Sequence, residues 1–213
     1  MYFLPEDLDD YVVSHSEQEP DLLKALTRET YQKILQPIML SGPYQGRVLS
    51  MISKLKQPKR ILELGTFTGY ATLCLAEGLQ TDGEIHTIDV NEELETIQNK
   101  YFEKSGFRRQ IIQHVGNALD IIPTLEDEFD LVFIDADKPN YSNYFHAIID
   151  KVATGGIILS DNVLWHGKVI QTLNPKDVST KAVLDYNTLL KEDPRVETIV
   201  LPIRDGLTIS RKL

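Results

Sequence analysis

From Arg60 onward, short apolar runs alternate with longer stretches whose apolar positions recur at helical spacing. Arg60–Leu64, Glu84–Asp89, Ile111–Val115, Leu131–Asp135 and Gly156–Ser160 predict strands. The unbroken run Leu131–Ile134 marks a strand buried on both faces. Thr68–Leu79, Glu92–Lys104 and Tyr141–Val152 predict the intervening helices. Strands alternating with helices imply an α/β fold, a parallel sheet with right-handed crossovers. The end departs from this rhythm. Val196–Pro202 and Leu207–Arg211 are strands joined by Arg204-Asp205-Gly206, too short for a parallel crossover. The sheet is therefore expected to be mostly parallel and to close with a C-terminal antiparallel strand pair.

Residues 1–55 predict a helical N-terminal layer. After Pro20-Asp21, Leu22, Leu23, Leu26, Tyr31, Ile34 and Leu35 form an apolar stripe. Met39-Leu40-Ser41-Gly42-Pro43 breaks the helix, and Gly46–Lys54 resumes it with Val48, Leu49, Ile52 and Leu55 inward. Such a layer covers a sheet edge, caps a pocket or forms a dimer interface, and the pattern leaves all three open. With 213 residues, 42% of them hydrophobic, the chain suits one core. Residues 1–213 are read as a single domain, with 1–55 as the cap and 56–213 as the α/β core.

Charge narrows the partners. A net charge of −10 argues against a broad nucleic-acid surface. The single cysteine, Cys74, excludes an internal disulfide, and its flanks Leu73 and Leu75 make it a buried structural thiol. No apolar run has the length of a membrane span and Met1–Glu6 lacks a basic n-region, so a soluble cytoplasmic protein without membrane contact is expected. His15, His86, His114 and His146 are read as surface or packing residues.

Chemistry gathers where strands end, the place ligands occupy in open parallel sheets. Strand Leu131–Ile134 runs into Asp135, Asp137 and Lys138, charges that are costly at a buried strand mouth unless paired, metal-bound or used. After the first strand, Glu63-Leu64-Gly65-Thr66-Phe67-Thr68-Gly69-Tyr70 supplies two glycines for a tight turn and close approach to a ligand. A dinucleotide fingerprint needs G-x-G-x-x-G, and Glu63 stands where its first glycine belongs. Asp89, ending the second strand, can accept both hydroxyls of a ribose, or alternatively cap the next helix. Asp161-Asn162 ends the fifth strand. If the fourth and fifth strands are neighbours, Asp135, Asp161 and Asn162 converge as hard oxygen ligands suited to Mg²⁺ or Ca²⁺.

Glu63-x-Gly65-x-x-x-Gly69-Tyr70, Asp89, Phe133-Ile134-Asp135-Ala136-Asp137-Lys138-x-Asn140-Tyr141 and Asp161-Asn162-x-Leu164-Trp165 together resemble the cation-dependent class I O-methyltransferases of the catechol and caffeoyl-CoA type. The resemblance spans nearly the whole chain. It implies a doubly wound, Rossmann-like methyltransferase sheet, S-adenosylmethionine as cofactor, a divalent cation (Mg²⁺, with Ca²⁺ or Mn²⁺ as alternatives) and a homodimer. By the same resemblance Asp135, Asp161 and Asn162 would hold the cation. Met39, Ser41, Glu63, the Gly65-Thr66 backbone, Asp89, Ala118, Asp135 and Asp137 would line the cofactor pocket. Lys138 would be the general base beside Asp135, acting on a vicinal-dihydroxy aromatic small molecule. Two positions depart from the pattern. Ala71 stands at a cofactor position where relatives often carry a serine, so Thr72 or helix amides must substitute. His166, after Trp165, stands where relatives present other residues to substrate. Three alternatives remain: methylation of a hydroxylated transfer-RNA base, for which Lys100, Lys104, Arg108 and Arg109 would form a basic entrance; a nicotinamide oxidoreductase, disfavoured by Glu63 and the terminal hairpin; and a non-catalytic cofactor-binding partner protein, disfavoured because the metal ligands and Lys138 are all retained.

Overall fold

In the computed structural model, which describes residues 5–126 and 128–213, seven strands form one sheet. They are β1 (Arg60–Leu64), β2 (Glu84–Asp89), β3 (Ile111–Val115), β4 (Phe129–Ile134), β5 (Val152–Asp161), β6 (Val196–Leu201) and β7 (Leu207–Lys212). Their order is β3-β2-β1-β4-β5-β7-β6. The first five pair in parallel, and β7 lies antiparallel between β5 and β6. β1 to β3 have the predicted bounds. β4 stops at Ile134, so Asp135 is the first residue beyond the strand. β5 begins at Val152, because its upstream residues continue beside Phe129 across an irregularity in register. Strand order reverses between β1 and β4, which opens a crevice at their carboxyl ends.

The helices are α1 (Glu6–Ser14), α2 (Asp21–Lys33), α3 (Pro43–Lys56), α4 (Tyr70–Ala76), α5 (Glu95–Ser105), α6 (Ala118–Ile121), α7 (Tyr141–Ile148) and α8 (Val178–Glu192). α4 is shorter than the predicted Thr68–Leu79: Gly69, at φ +87°, is its N-cap, and the helix ends at Ala76. α8 is additional to the predicted elements. The Asp177 carboxylate accepts the amide of Thr180 at its start, and Val183, Tyr186 and Leu190 form its buried stripe.

Side chains on the two sheet faces build two clusters, as the strand period of two requires. Ile61, Leu131, Tyr70 and Phe102 belong to one, under α2 to α5. Leu62, Val132, Tyr141, Phe145 and Tyr186 belong to the other, under α6 to α8. Cys74 is buried in the first, and burial pushes its thiol up to about 12, so it packs as an inert apolar group. The N-terminal layer lies on α4 and α5. It therefore buries narrower stripes than predicted. Leu23, Leu26 and Thr30 of α2 are inward, whereas Tyr31 and Leu35 are exposed. On α3, Leu49 is buried and Leu55 faces solvent.

Gly65 fixes how closely β1 and β4 approach beyond their ends. Its φ is +101°, and a Cβ there would stand 1.9 Å from the carbonyl oxygen of Asp135. Gly65→Ala is expected to destabilise the fold by ~3 kcal/mol or more. Urea denaturation checks this, and an unchanged midpoint would show that the turn can relax without cost.

Candidate active site

A cleft of about 1060 Å³ opens at the carboxyl ends of the central strands. The α2–α3 connection, with Ile34 and Met39, forms one wall, with Asp89 at the end of β2 and Ala118 just after β3. Asp135 to Pro139, Asp161-Asn162 and Trp165 supply the rest, with Arg204 at the rim.

Register does the assembling. Ile134 stands opposite Ser160, so the next residues, Asp135 and Asp161, leave neighbouring strands side by side. The Asp161 Oδ2 accepts from Gln45 Nε2 at 2.7 Å and its Oδ1 from the Asn162 amide at 2.8 Å. Burial, then repulsion from Asp135, push its carboxyl up to about 7. Lys138 is the counter-charge. Its buried Nζ lies 3.4 Å from Asp135 Oδ1 and donates to the Ala136 carbonyl at 3.3 Å and to the Tyr141 hydroxyl. Tyr141 in turn donates to the Asp161 carbonyl at 2.9 Å. Burial and the surrounding carboxylates raise that phenol well above its ordinary value, so it stays a neutral relay of hydrogen bonds.

Does this set fit a divalent cation? Among the described residues, no three His, Cys, Asp or Glu side chains gather as metal ligands. The set is two carboxylates and one amide, all hard oxygen donors, and Asp161, raised by burial and then by Asp135, is a carboxyl whose charged form a cation would favour. Asn162 turns into the cleft through a left-handed φ of +60°, a conformation asparagine tolerates. The donor chemistry fits.

The expected cofactor residues fall into three groups. Met39, Gly65, Asp89, Ala118, Asp135 and Asp137 line the cleft. Asp89 accepts the Phe67 amide at 2.7 Å and the Asn91 amide at 2.9 Å, and Asn91, not Asp89, caps the following turn. Asp137 accepts from Asn140 Nδ2 at 2.7 Å and from the Tyr144 hydroxyl. Ser41, Thr66 and Ala71 border a small recess beside Gly65. The Gly65 amide is already given to the Ile88 carbonyl, and the Thr66 hydroxyl is shared with Thr87. Glu63 lies one layer below, wholly buried. Its Oε2 accepts from Thr87 at 2.6 Å and from Thr72, whereas Oε1 has no partner. Burial drives the Glu63 carboxyl up to about 8. An unpaired buried carboxylate oxygen is chemistry that a cationic ammonium would satisfy. Thr72 is thereby removed as a stand-in for a serine at position 71, since its hydroxyl points down to Glu63.

Trp165 and His166 both adopt left-handed φ, +45° and +55°. The His166 amide donates to Asp205 Oδ1 at 2.6 Å, which holds this kink against the β6–β7 turn. Trp165 lines the cleft with its ring centroid 5.8 Å from Lys138 Nζ. The His166 side chain is mostly exposed, lies outside the cleft wall and sits 3.7 Å from Asp205. The basic entrance required for transfer RNA is largely engaged: Lys100 pairs with Glu29, Lys104 lies over Tyr101, and Arg108 pairs with Glu103.

Two site residues escaped the sequence reading. Gln45 and Arg204 form a strap: Arg204 Nη1 donates to the carbonyls of Leu40 and Ser41 and reaches Gln45 Oε1 at 3.4 Å. Gln45 meets Asp161 across 116 positions of sequence, so no local pattern could reveal it. Arg204 looks like an ordinary turn residue until the fold closes over it.

The family model for O-methyltransferases matches residues 13–213. The chain belongs to the O-methyltransferase family. It is 37% identical over 210 residues to caffeoyl-CoA O-methyltransferase 2 of Petunia hybrida, covering 92% of this chain and 85% of the relative. With the caffeoyl-CoA O-methyltransferase of Petroselinum crispum the identity is 38% over 210 residues, covering 92% and 86%. Among solved structures, the SAH-bound methyltransferase PaMTH1 of Podospora anserina superposes with a TM-score of 0.88 at 31% identity, covering 100% of this chain and 99% of that one. The O-methyltransferase TomG of Streptomyces achromogenes, in complex with SAM, gives 0.88 at 29% identity, covering 97% and 96%. The family sets the nicotinamide alternative aside: this is a methyltransferase.

Glu63 generates a pH prediction. Its folded pKa lies above the ordinary 4.5, so its contribution to stability is full at acidic pH and is lost as pH rises toward 8. Without cofactor or metal, Glu63→Gln should gain on the wild type between pH 5 and 8 by roughly 3–10 °C in melting temperature. Calorimetry across that range checks it, and parallel pH profiles for the two proteins would exclude a strongly raised Glu63.

Proposed function

We propose that this methyltransferase moves the methyl group of S-adenosylmethionine to one oxygen of a vicinal-dihydroxy aromatic small molecule, with a divalent cation held by Asp135, Asp161 and Asn162. The observation that carries the reading is the juxtaposition of Asp135, Asp161 and Lys138 at one sheet edge beside the Gly65 turn. The SAH- and SAM-bound neighbours support the cofactor, and the caffeoyl-CoA relatives support a phenolic acceptor.

Phenols ionise near pH ~10, so the nucleophile is mostly protonated at neutral pH. The bound cation would supply stabilisation of the phenolate and fix its direction. Lys138 stands beside Asp135 as the base for the acceptor hydroxyl. Its Nζ then takes the phenol proton while Tyr141 and the Ala136 carbonyl hold the amine in place. S-adenosylmethionine, when bound, would supply the methyl group: its carbon–sulfur bond would break as the phenolate oxygen bonds to the methyl carbon, and S-adenosylhomocysteine would leave with the electron pair. Trp165 gives the acceptor ring a surface beside Lys138. Asp89 would bind the cofactor's ribose, and Glu63, wholly buried below the cleft, would attract its ammonium from beneath. In this reading residues 1–213 work as a single domain, in a homodimer, in the cytoplasm. Light scattering tests the dimer.

Asp161→Ala should abolish metal-dependent turnover while leaving cofactor affinity, measured by calorimetry, within a few-fold. Full activity in excess chelator would refute the metal role. Lys138→Ala should lower kcat roughly a hundredfold or more with little change in cofactor affinity, and unchanged turnover would remove Lys138 as the base.

A further inference from the structure

The proposed acceptor site leaves the rest of the acceptor molecule unspecified, and the cleft's rim constrains it. Recognition of phosphate needs unspent cations, above all arginine in a position to chelate. The cations lining the cleft are Lys33, Lys138 and Arg204. Lys33 pairs with Glu29 at 2.9 Å. Lys138 is buried against Asp135 and Tyr141. Arg204 is turned away into the Leu40 and Ser41 carbonyls. Lys168, on the segment that carries Trp165, pairs with Asp177 at 2.9 Å. Arg28 and Lys176 are exposed but stand outside the cleft lining.

What the rim does offer is apolar. Leu35 is 89% exposed, Ile38 72% and Met39 60%, three large side chains in five positions, all lining the cleft. Exposed apolar side chains are ordinary when scattered. Clustered on the lip of a ligand cleft, they mark a binding surface. A left-handed Gln36 (φ +57°) starts the 3₁₀ turn Pro37–Met39 and holds Ile38 and Met39 at that lip.

Resting on the methyl-transfer reading, we propose that the acceptor is an uncharged catechol-type phenol with an apolar substituent lying along Leu35, Ile38 and Met39. A coenzyme A thioester, the acceptor in the names of the plant relatives, is not the preferred substrate. Its phosphate and diphosphate would leave the cleft past a lip that, among the described residues, offers no arginine free to chelate them and only lysines already paired with a carboxylate. Asp89, Asp135, Asp137 and Asp161 are assigned to cofactor and cation, so their charges leave the acceptor's substituent to the lip.

The test compares two acceptors with the same dihydroxyphenyl ring, methyl caffeate and caffeoyl-CoA, with S-adenosylmethionine and Mg²⁺ and the full chain. The expected kcat/KM favours methyl caffeate by about tenfold or more and rises along the methyl, ethyl, butyl ester series. The value for caffeoyl-CoA should be insensitive to sodium chloride. Ile38→Lys, an exposed change that leaves the core untouched, should shift the ratio several-fold toward caffeoyl-CoA. Equal or higher kcat/KM for caffeoyl-CoA, or a steep loss of its rate with added salt, overturns the proposal, since either means that phosphates are being bound. A flat ester series overturns the apolar lip. Methylation of neither ring would overturn the phenolic-acceptor reading itself, a result distinct from a preference for the thioester.

Discussion

Two carboxylates that cannot avoid each other govern this site. Parallel pairing of β4 with β5 sends Asp135 and Asp161 from adjacent strand ends into one partly dry corner. Every nearby element answers that repulsion. Lys138 brings a positive charge from the segment after β4, Gln45 a side-chain amide from α3, Asn162 a backbone amide from the end of β5. Tyr141 ties the lysine to the backbone of Asp161, so charge and scaffold are fixed together. Replacing the pair with apolar residues would remove the tension and the chemistry at once.

The same corner explains why an N-terminal layer whose buried residues on α3 are mostly polar is integral to the site. α3 contributes Gln45, and the connection before it contributes the Met39 wall and the Ser41 border of the recess. Of the three uses that the hydrophobic pattern left open for this layer, capping the pocket is one the geometry supports directly. Narrow stripes on α2 and α3 follow, because a cap rests on other helices and keeps one face for ligand and solvent.

What could be read in advance divides by distance along the chain. β1, β2 and β3 were legible to the residue because apolar runs and their breakers are adjacent in sequence. Asp135, Asp161 and Asn162 were legible because strand ends announce themselves and parallel neighbours share an edge. Gln45 and Arg204 were not, since their partners lie more than a hundred positions away. α8 stood between: Val183, Tyr186 and Leu190 have helical spacing, and Asp177 is a ready cap, a local signal that could have been found. Thr72 shows the opposite limit. Its residue type suited a cofactor contact, and only the fold reveals that its hydroxyl is committed downward to Glu63.

The insertion of β7 between β5 and β6 has a consequence for how the molecule comes into being. β6 is made before β7 yet has no ladder partner until β7 arrives, and the Arg204 strap depends on the turn between them. β6 and β7 form a local hairpin, and it is the pairing of β7 with β5, Asp161 opposite Leu207, that spans the long stretch through α8 and is slower to form. The sheet from β3 to β5 can organise around its own crossovers while the rim of the cleft is still open. The Arg204 wall of the ligand cleft therefore depends on docking of this hairpin, whereas the carboxylate pair depends only on the pairing of β4 with β5.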